Sequence, residues 1–353
     1  MIRKNILLLL TAGLVLFCGF LFLLVIVVPG FARLSTATAT SSIDLYSTLA
    51  AATPGADSGS AQALNPLPGG TVPTGTPPSG EPFGKIAFTC QLYRYQSSEQ
   101  ICIMNADGSG WVRLTSEDGF RHYYPSMAPD GNSVVYSAFR EQNVYEIYEV
   151  TLDGVVTRIT DRLGVLTAPE ISPDGTRIVF MRWTAATDQY QIWVMNRDGS
   201  DPHQVVPGSG WDPTWSPDGT RILFASDRGG PNQLWVVDLD GSGLRQVSNL
   251  PVIRGRSDWS SLGQIVTYSG ESWNRELYLM DADGGNTHQL TPSGGNSQGP
   301  SFSPDGKWVA FTAYFDHYGD IHGCEIYIMR VDGTDVRRLT DNTYCDYQPR
   351  WGP

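Results

Sequence analysis

Residues 215–226 read WSPDGTRILFAS, and the same words return in EISPDGTRIVFMR and FSPDGKWVAFTA. A chain that rewrites one short phrase folds into repeated units, and the spacing of the phrase sets their size. Aligned on the turn glycine, the copies fall at Gly131, Gly175, Gly219, Gly263 and Gly306, which lie 44, 44, 44 and 43 residues apart. The Gly263 copy, DWSSLGQIVTYS, keeps the frame with a worn turn. Gly84, in FGKIAFTC, fits one unit earlier at a spacing of 47.

A second phrase follows each of these: MNADGSGWVRLT at Asp107, VTLDGVVTRIT at Asp153, MNRDGSDPHQVV at Asp198, VDLDGSGLRQVS at Asp240, MDADGGNTHQLT at Asp283 and MRVDGTDVRRLT at Asp332. Asp-Gly between two apolar runs is a hairpin turn, because Gly accepts positive φ and Asp bonds to the nearby backbone. Pro-Asp-Gly does the same in the first phrase. Each unit therefore reads strand, SPDG turn, strand, longer loop, strand, DG turn, strand. Four antiparallel strands per unit of this length predict an all-β fold, a six-bladed β-propeller of four-stranded blades. Runs such as TRILFAS and QLWVVDLD are almost continuously apolar, as expected of strands covered on both faces.

The ends fit a ring. The repeats begin at Gly84 with a second strand that lacks its first, and the last residues, YQPRWGP, match the DPTWSP approach to a first strand, with Trp351 in the place of Trp215. The C-terminal strand is expected to join the first blade beside residues 85–90, closing the ring and covering its free edge.

SPDG-type repeats with MNxDGSxxxxLT resemble the TolB-type propeller family, distant kin of WD40-like repeats. The resemblance covers residues 84–353 and implies a propeller that binds partners and does no chemistry. The chain departs from TolB itself in having no room for an N-terminal α/β domain. The family's role in the Tol–Pal envelope system is therefore not carried over. The same propeller precedes the hydrolase domain of some prolyl peptidases.

Ahead of the repeats the material changes. Residues 1–5, MIRKN, make a basic tip, and 6–28 run without a charge. As a helix this apolar run is about 34 Å long, enough to cross a bilayer. The positive flank predicts a cytoplasmic N-terminus and an extracytoplasmic propeller. The alternative is a signal peptide cleaved after the GFA that ends at Ala32, although its apolar core would usually be shorter. Cys18 lies inside the run behind bulky Phe17 and reads as a membrane-buried thiol rather than a lipoprotein cleavage site. Residues 29–82, rich in Ser, Thr, Ala, Gly and Pro, carry too little apolar surface to fold and read as a disordered linker. The propeller is assigned to 83–353. The net charge of −12 argues against nucleic acid and against docking of the folded part on an anionic membrane, leaving the N-terminal helix as the membrane contact.

The two short turns of every unit share one face, and the longer connections share the other, where binding usually sits. That loop face holds His122, Tyr123 and Tyr124 in GFRHYYP, Trp211 and Asp212 in GSGWDP, Arg254, Arg256 and Asp258 in VIRGRSDW, and Asp346 and Tyr347 in CDYQP. Aromatics interleaved with charge suit peptide or sugar recognition; packing between blades is the plainer use of any one of them. The longest loop, AYFDHYGDIHGCE, carries Asp316, His317, Asp320 and His322, a weak metal-ligand set with no helix to fix its spacing. GNSQG around Ser297 matches G-x-S-x-G, but a nucleophile elbow needs a strand-to-helix turn. DLDG and DADG lack the glutamate that closes a calcium loop. No cofactor is expected.

Four cysteines follow the linker, and an even count in an exported domain suggests disulfides. Cys90–Cys102 and Cys324–Cys345 are the favoured pairs among three pairings, with four buried thiols as the alternative. The functional expectation is a membrane-tethered, non-catalytic scaffold that binds a protein or peptide on the loop face. A carbohydrate or cell-wall module is the alternative, and a propeller-type hydrolase or lyase a more distant one.

Overall fold

The computed structural model describes residues 80–91, 99–117, 119–141, 144–253, 255–293, 296–314, 323–342 and 344–353. The basic tip, the apolar run 6–28 with Cys18, the linker to residue 79, Arg254, and the Asp316, His317, Asp320 and His322 set lie outside these described residues.

The described chain is an all-β propeller with no helix. β1 (Lys85–Gln91) pairs with β2 (Glu99–Asn105), which carries β3 (Val112–Arg113) outermost. On its inner side β1 pairs with the last strand, β24 (Asp346–Gly352), in the register Lys85↔Gly352 and Ile86↔Trp351. The closure read from Trp351 is therefore present. Next come β4 (Arg121–Met127), β5 (Ser133–Glu141), β6 (Val144–Thr151) and β7 (Val156–Arg158), then β8 (Val165–Ile171), β9 (Arg177–Trp183), β10 (Tyr190–Asn196) and β11 (His203–Gln204). Three further four-stranded sheets follow. They are β12 (Trp211–Trp215), β13 (Arg221–Ser226), β14 (Gln233–Asp238) and β15 (Arg245–Gln246); β16 (Asp258–Trp259), β17 (Gln264–Glu271), β18 (Asn274–Asp281) and β19 (His288–Gln289); and β20 (Ser297–Phe302), β21 (Trp308–Tyr314), β22 (Cys324–Arg330) and β23 (Arg337–Arg338).

The spacing predicts six separate four-stranded blades, and here the structure differs. Four four-stranded sheets stand alone, while β4 to β11 form one eight-stranded sheet. The cause is local: the short connection after β7 sets Val165 beside Tyr145, and this one parallel pair joins β8 to β6.

The repeated phrases have a common mechanism. In the SPDG turn at 216–219, the Ser216 hydroxyl donates to Asp218 at 2.5 Å and accepts from the Arg221 N–H at 2.9 Å. Asp218 accepts from the Thr220 N–H at 3.0 Å, and Gly219 takes φ 68. Those bonds hold Asp218 down at about 2. The threonine of the LT ending closes the same unit. Thr115, Thr291 and Thr340 each accept a third-strand N–H at 2.9 Å, from Ile101, Leu277 and Ile326, and each donates to a buried Gln100, Glu276 or Glu325.

Apolar clusters fill the gaps between neighbouring four-strand groups. One joins Ile101 and Ile103 of β2 to Val134, Tyr136 and Tyr148 of β5 and β6. Another joins Trp308 and Ile328 to Ile86, Phe88 and Trp351, so the seam where the chain's two ends meet is packed like the others. Pro353 occupies the place that Pro129 and Pro173 hold in the other turns, against the turn glycine of the next group. The linker's last residues are also held: Arg330 donates to the Gly80 carbonyl at 2.7 Å and Arg337 to Glu81 at 2.9 Å. The chain thus enters the ring on the turn face.

Both expected disulfides are present, Cys90–Cys102 and Cys324–Cys345. The second ties the segment before β24 to the start of β22.

Candidate functional site

The first strand of each repeat runs from the loop face to the turn face along the middle of the ring. In five of them the ladder breaks at the same point, and the residue at the break is left-handed: Tyr124 (φ 56), Ala168 (φ 50), Asp212 (φ 49), Gly299 (φ 58) and Gln348 (φ 56). Each precedes a proline, in YPSM, APEI, DPTW, GPSF and QPRW. Proline has no N–H to give a ladder, so a bulge placed there sacrifices little pairing. Before β16 the pattern is replaced by Arg256-Ser257, and β16 keeps only two residues.

The residues after these prolines form a polar plug. Arg350, on β24, reaches Glu170 of β8 at 2.7 Å and Asp258 of β16 at 3.4 Å. Thr214 donates to Glu170 at 2.5 Å, and Ser301 and the Phe302 N–H donate to Asp258 at 3.0 and 2.8 Å. Burial pushes the Glu170 carboxyl up, and Arg350 opposes it. The plug ties together strands far apart in sequence.

Above the plug, toward the loop face, lies a mouth lined by tyrosines. Tyr124, Tyr190, Tyr314 and Tyr347 are half-buried there, and Tyr268 is nearly fully buried. Burial raises all five phenols, Tyr314 to about 12, so all are neutral. Gln348 accepts from the Tyr124 N–H at 2.9 Å and from the Thr89 hydroxyl at 3.0 Å, fixing the rim. Arg256 crosses the channel: both terminal nitrogens donate to the Pro125 carbonyl at 3.2 Å, and its guanidinium lies 5.6 Å from the Tyr124 ring centre. Burial, then Arg350, lowers Arg256 to about 9, still a cation at neutral pH. Gly255 must be glycine. A Cβ there would lie 2.3 Å from the Tyr268 hydroxyl and 3.2 Å from an Asp212 carboxylate oxygen, at φ 156. Asp212 is half-buried, and burial raises it to about 6 against the pull of Arg256 and Arg350.

Of the residues singled out in the sequence, Tyr124, Asp212, Arg256 and Tyr347 line this mouth, and Tyr123 stands beside them, its phenol bonded to Arg121 at 3.5 Å. Others are corrected. His122 is fully buried, bonded to Thr115 at 2.9 Å and held down at about 3 by burial. Asp258 belongs to the plug. Trp211 packs into two apolar clusters. Asp346 is 2 % exposed, bonded to Asn342 at 2.7 Å, and burial followed by the nearby Glu325 raises it; Glu325 itself is pushed up to about 7 by burial. Strand alternation explains the split, since alternate side chains of a first strand enter the seam between groups. Ser297 is fully buried within β20. Sequence reasoning missed Glu170, Arg350, Gln348, Tyr190, Tyr268 and Tyr314. For Glu170, Gln348 and Arg350 the signal available was the column of residues flanking the repeated proline.

Comparison with known proteins agrees with this architecture. A family described as the TolB beta propeller domain matches residues 80–272. The Tol-Pal system protein TolB of Wolinella succinogenes is 28% identical over 248 residues, covering 65% of this chain and 55% of that protein. The uncharacterized peptidase YuxL of Bacillus subtilis is 28% identical over 225 residues, covering 51% of this chain and 34% of that protein. The crystal structure of TolB from Acinetobacter baumannii superposes with a TM-score of 0.65 at 25% identity, covering 76% of this chain and 67% of that one. The chain thus spans only part of the curated relatives it matches.

Proposed function

This chain belongs to the TolB beta propeller domain family, and on that premise we propose that it is a non-catalytic scaffold binding a protein or peptide at the tyrosine-lined mouth of its loop face. One observation carries the reading: neutral phenols, a carboxylate and a guanidinium from separate segments surround one opening above the Arg350 plug. Tyrosine offers large, stiff contact area with a polar tip, which suits an extended peptide. Counting the eight-stranded sheet as two blades joined by one pair gives a ring of six.

The same reading makes the protein membrane-tethered and extracytoplasmic. Its support is the uncharged run 6–28, the linker after it and two disulfides, which persist in oxidising compartments. The chain enters the ring on the turn face at Gly80. Protease added to intact cells is expected to degrade the ring; full protection contradicts this placement. Sugars are the second reading, favoured by a cavity of about 240 Å³ at the outer edge of the β16–β19 sheet, bordered by Tyr278, Asn274 and Gln289.

The test is selection of random peptides on the full chain, followed by calorimetry. Tyr124→Ala is expected to weaken the selected peptides by roughly tenfold, the usual cost of removing a central aromatic anchor. Ala168 holds the equivalent left-handed position, so alanine is accommodated there. Selected peptides indifferent to Tyr124→Ala place binding elsewhere, and glycan-array signal without peptide binding favours the second reading.

A further inference from the structure

Arg256 and Arg350 meet Glu170, Asp258 and Asp212 in the channel, and Arg275 stands beside the mouth with its guanidinium 6.0 Å from the Tyr268 ring centre. Glu170 and Asp258 are committed to Arg350 and to hydroxyl and backbone donors. Arg256 is committed to the Pro125 carbonyl. Asp212 remains. Among the described residues no hydrogen-bond donor or ion-pair partner reaches its carboxylate, and the residue is half-buried. Its backbone N–H donates to the Met181 sulfur at 3.1 Å. Asp212 is therefore the carboxylate of this group that no described cation pairs.

Its surroundings are aromatic. Its charge helps to raise the phenols of Tyr124, Tyr268 and Tyr190, and the Tyr268 hydroxyl shares the Gly255 edge with it. Neutral aromatic faces around an acid make a receptor for an organic cation, which gains from the rings as well as from the charge. A chain of net charge −12 also steers cations toward it.

We propose that Asp212 anchors a primary ammonium group, the lysine side chain or amino terminus of the bound peptide, within a cage formed by Tyr124, Tyr190 and Tyr268. This assignment rests on the mouth being a peptide site and names the group that enters it. Burial has already raised Asp212 to about 6, and an arriving cation restores the ionised form. The advantage of a cationic ligand is therefore full above pH 6 and fades as pH falls through 6. Arg256 and Arg350 act on Asp212 throughout that range, Glu170 and Asp258 are bound to Arg350, Arg275 stands at the Tyr268 ring, and the tyrosines stay neutral.

The test is calorimetry on the full chain with N-acetyl-lysine amide, N-acetyl-norleucine amide and alanine amide at constant ionic strength. The lysine probe is expected to bind about tenfold more tightly than the uncharged norleucine probe, with Asp212→Asn erasing the difference. Asparagine tolerates the left-handed conformation of φ 49, so this variant keeps the fold. Tighter binding of alanine amide than of the lysine probe assigns the amino terminus; the reverse assigns the side chain. Equal binding of lysine and norleucine probes, with alanine amide no tighter than either, overturns the proposal, as does a lysine preference that survives Asp212→Asn or displacement of the lysine probe by calcium chloride at equal concentration. Library peptides that are weakened by Tyr124→Ala but indifferent to Asp212→Asn defeat this assignment and leave the peptide site standing. Binding of the lysine probe through Asp212, with no peptide sensitive to Tyr124→Ala, does the opposite.

Discussion

Deleting residues 346–353 is expected to abolish cooperative folding. The segment is β24, the inner partner of β1, and it carries Trp351, whose indole donates to the Phe83 carbonyl at 2.7 Å. Its loss uncovers Ile86 and Phe88, both fully buried, and leaves the β1 edge unpaired. It removes Arg350 from the plug and Pro353 from its seat against Gly131. Each of these losses is worth a few kcal/mol, against a total stability of about 5–15 kcal/mol for a typical domain. The expected result is a chain that lacks a sharp thermal transition and binds a hydrophobic dye. A truncated chain melting cooperatively within a few degrees of the full one contradicts the account of closure.

The second large effect belongs to Arg350. Replacing it with methionine keeps most of the volume and removes the charge that Glu170 and Asp258 share. Breaking a buried pair by removing one partner costs about 3–5 kcal/mol, because the abandoned charges stay desolvated. Glu170 then takes up a proton nearer neutral pH, since burial already pushes it up and its main opposing charge is gone. The stability of Arg350→Met is therefore expected to recover as pH falls from 8 to 5, and Glu170→Gln in the same chain is expected to restore part of the loss. Chemical denaturation of the single and double variants measures both. A loss under about 1 kcal/mol, or no recovery in acid, would mean the plug is solvated rather than sealed.

The fold was readable because its signals are local. Ser172, Asp174 and Gly175 make a turn within five residues, and the same bonds recur at Ser216, Asp218 and Gly219. The closure was readable because Trp351 repeats Trp215 in an identifiable frame. The fusion of β4–β11 into one sheet was not, since it depends on a single pair, Tyr145↔Val165, that no motif announces.

The site was readable in part, for a related reason. Tyr124, Asp212 and Arg256 lie where the repeat phase points them into the channel. His122 and Asp346 occupy neighbouring positions whose side chains point instead into a seam, where Thr115 and Asn342 bind them. Tyr268 and Tyr314 lie in second strands whose sequences, QIVTYSGE and WVAFTAY, read as blade core. Their part in the mouth follows from three-dimensional closure. Glu170 and Arg350 are 180 residues apart in sequence, and a charge pair across a ring leaves no spacing to find.

The central claim is that the loop-face mouth, above the plug, is where a partner binds. Hydrogen–deuterium exchange on the full chain, with and without a peptide selected on it, tests that claim most directly. The account predicts slowed exchange in β4 and β12 around Tyr124 and Asp212 and in the segment 255–258, with the SPDG and DG turns unchanged. Protection confined to the turn face or to the outer strands, with the mouth unaffected, would contradict it.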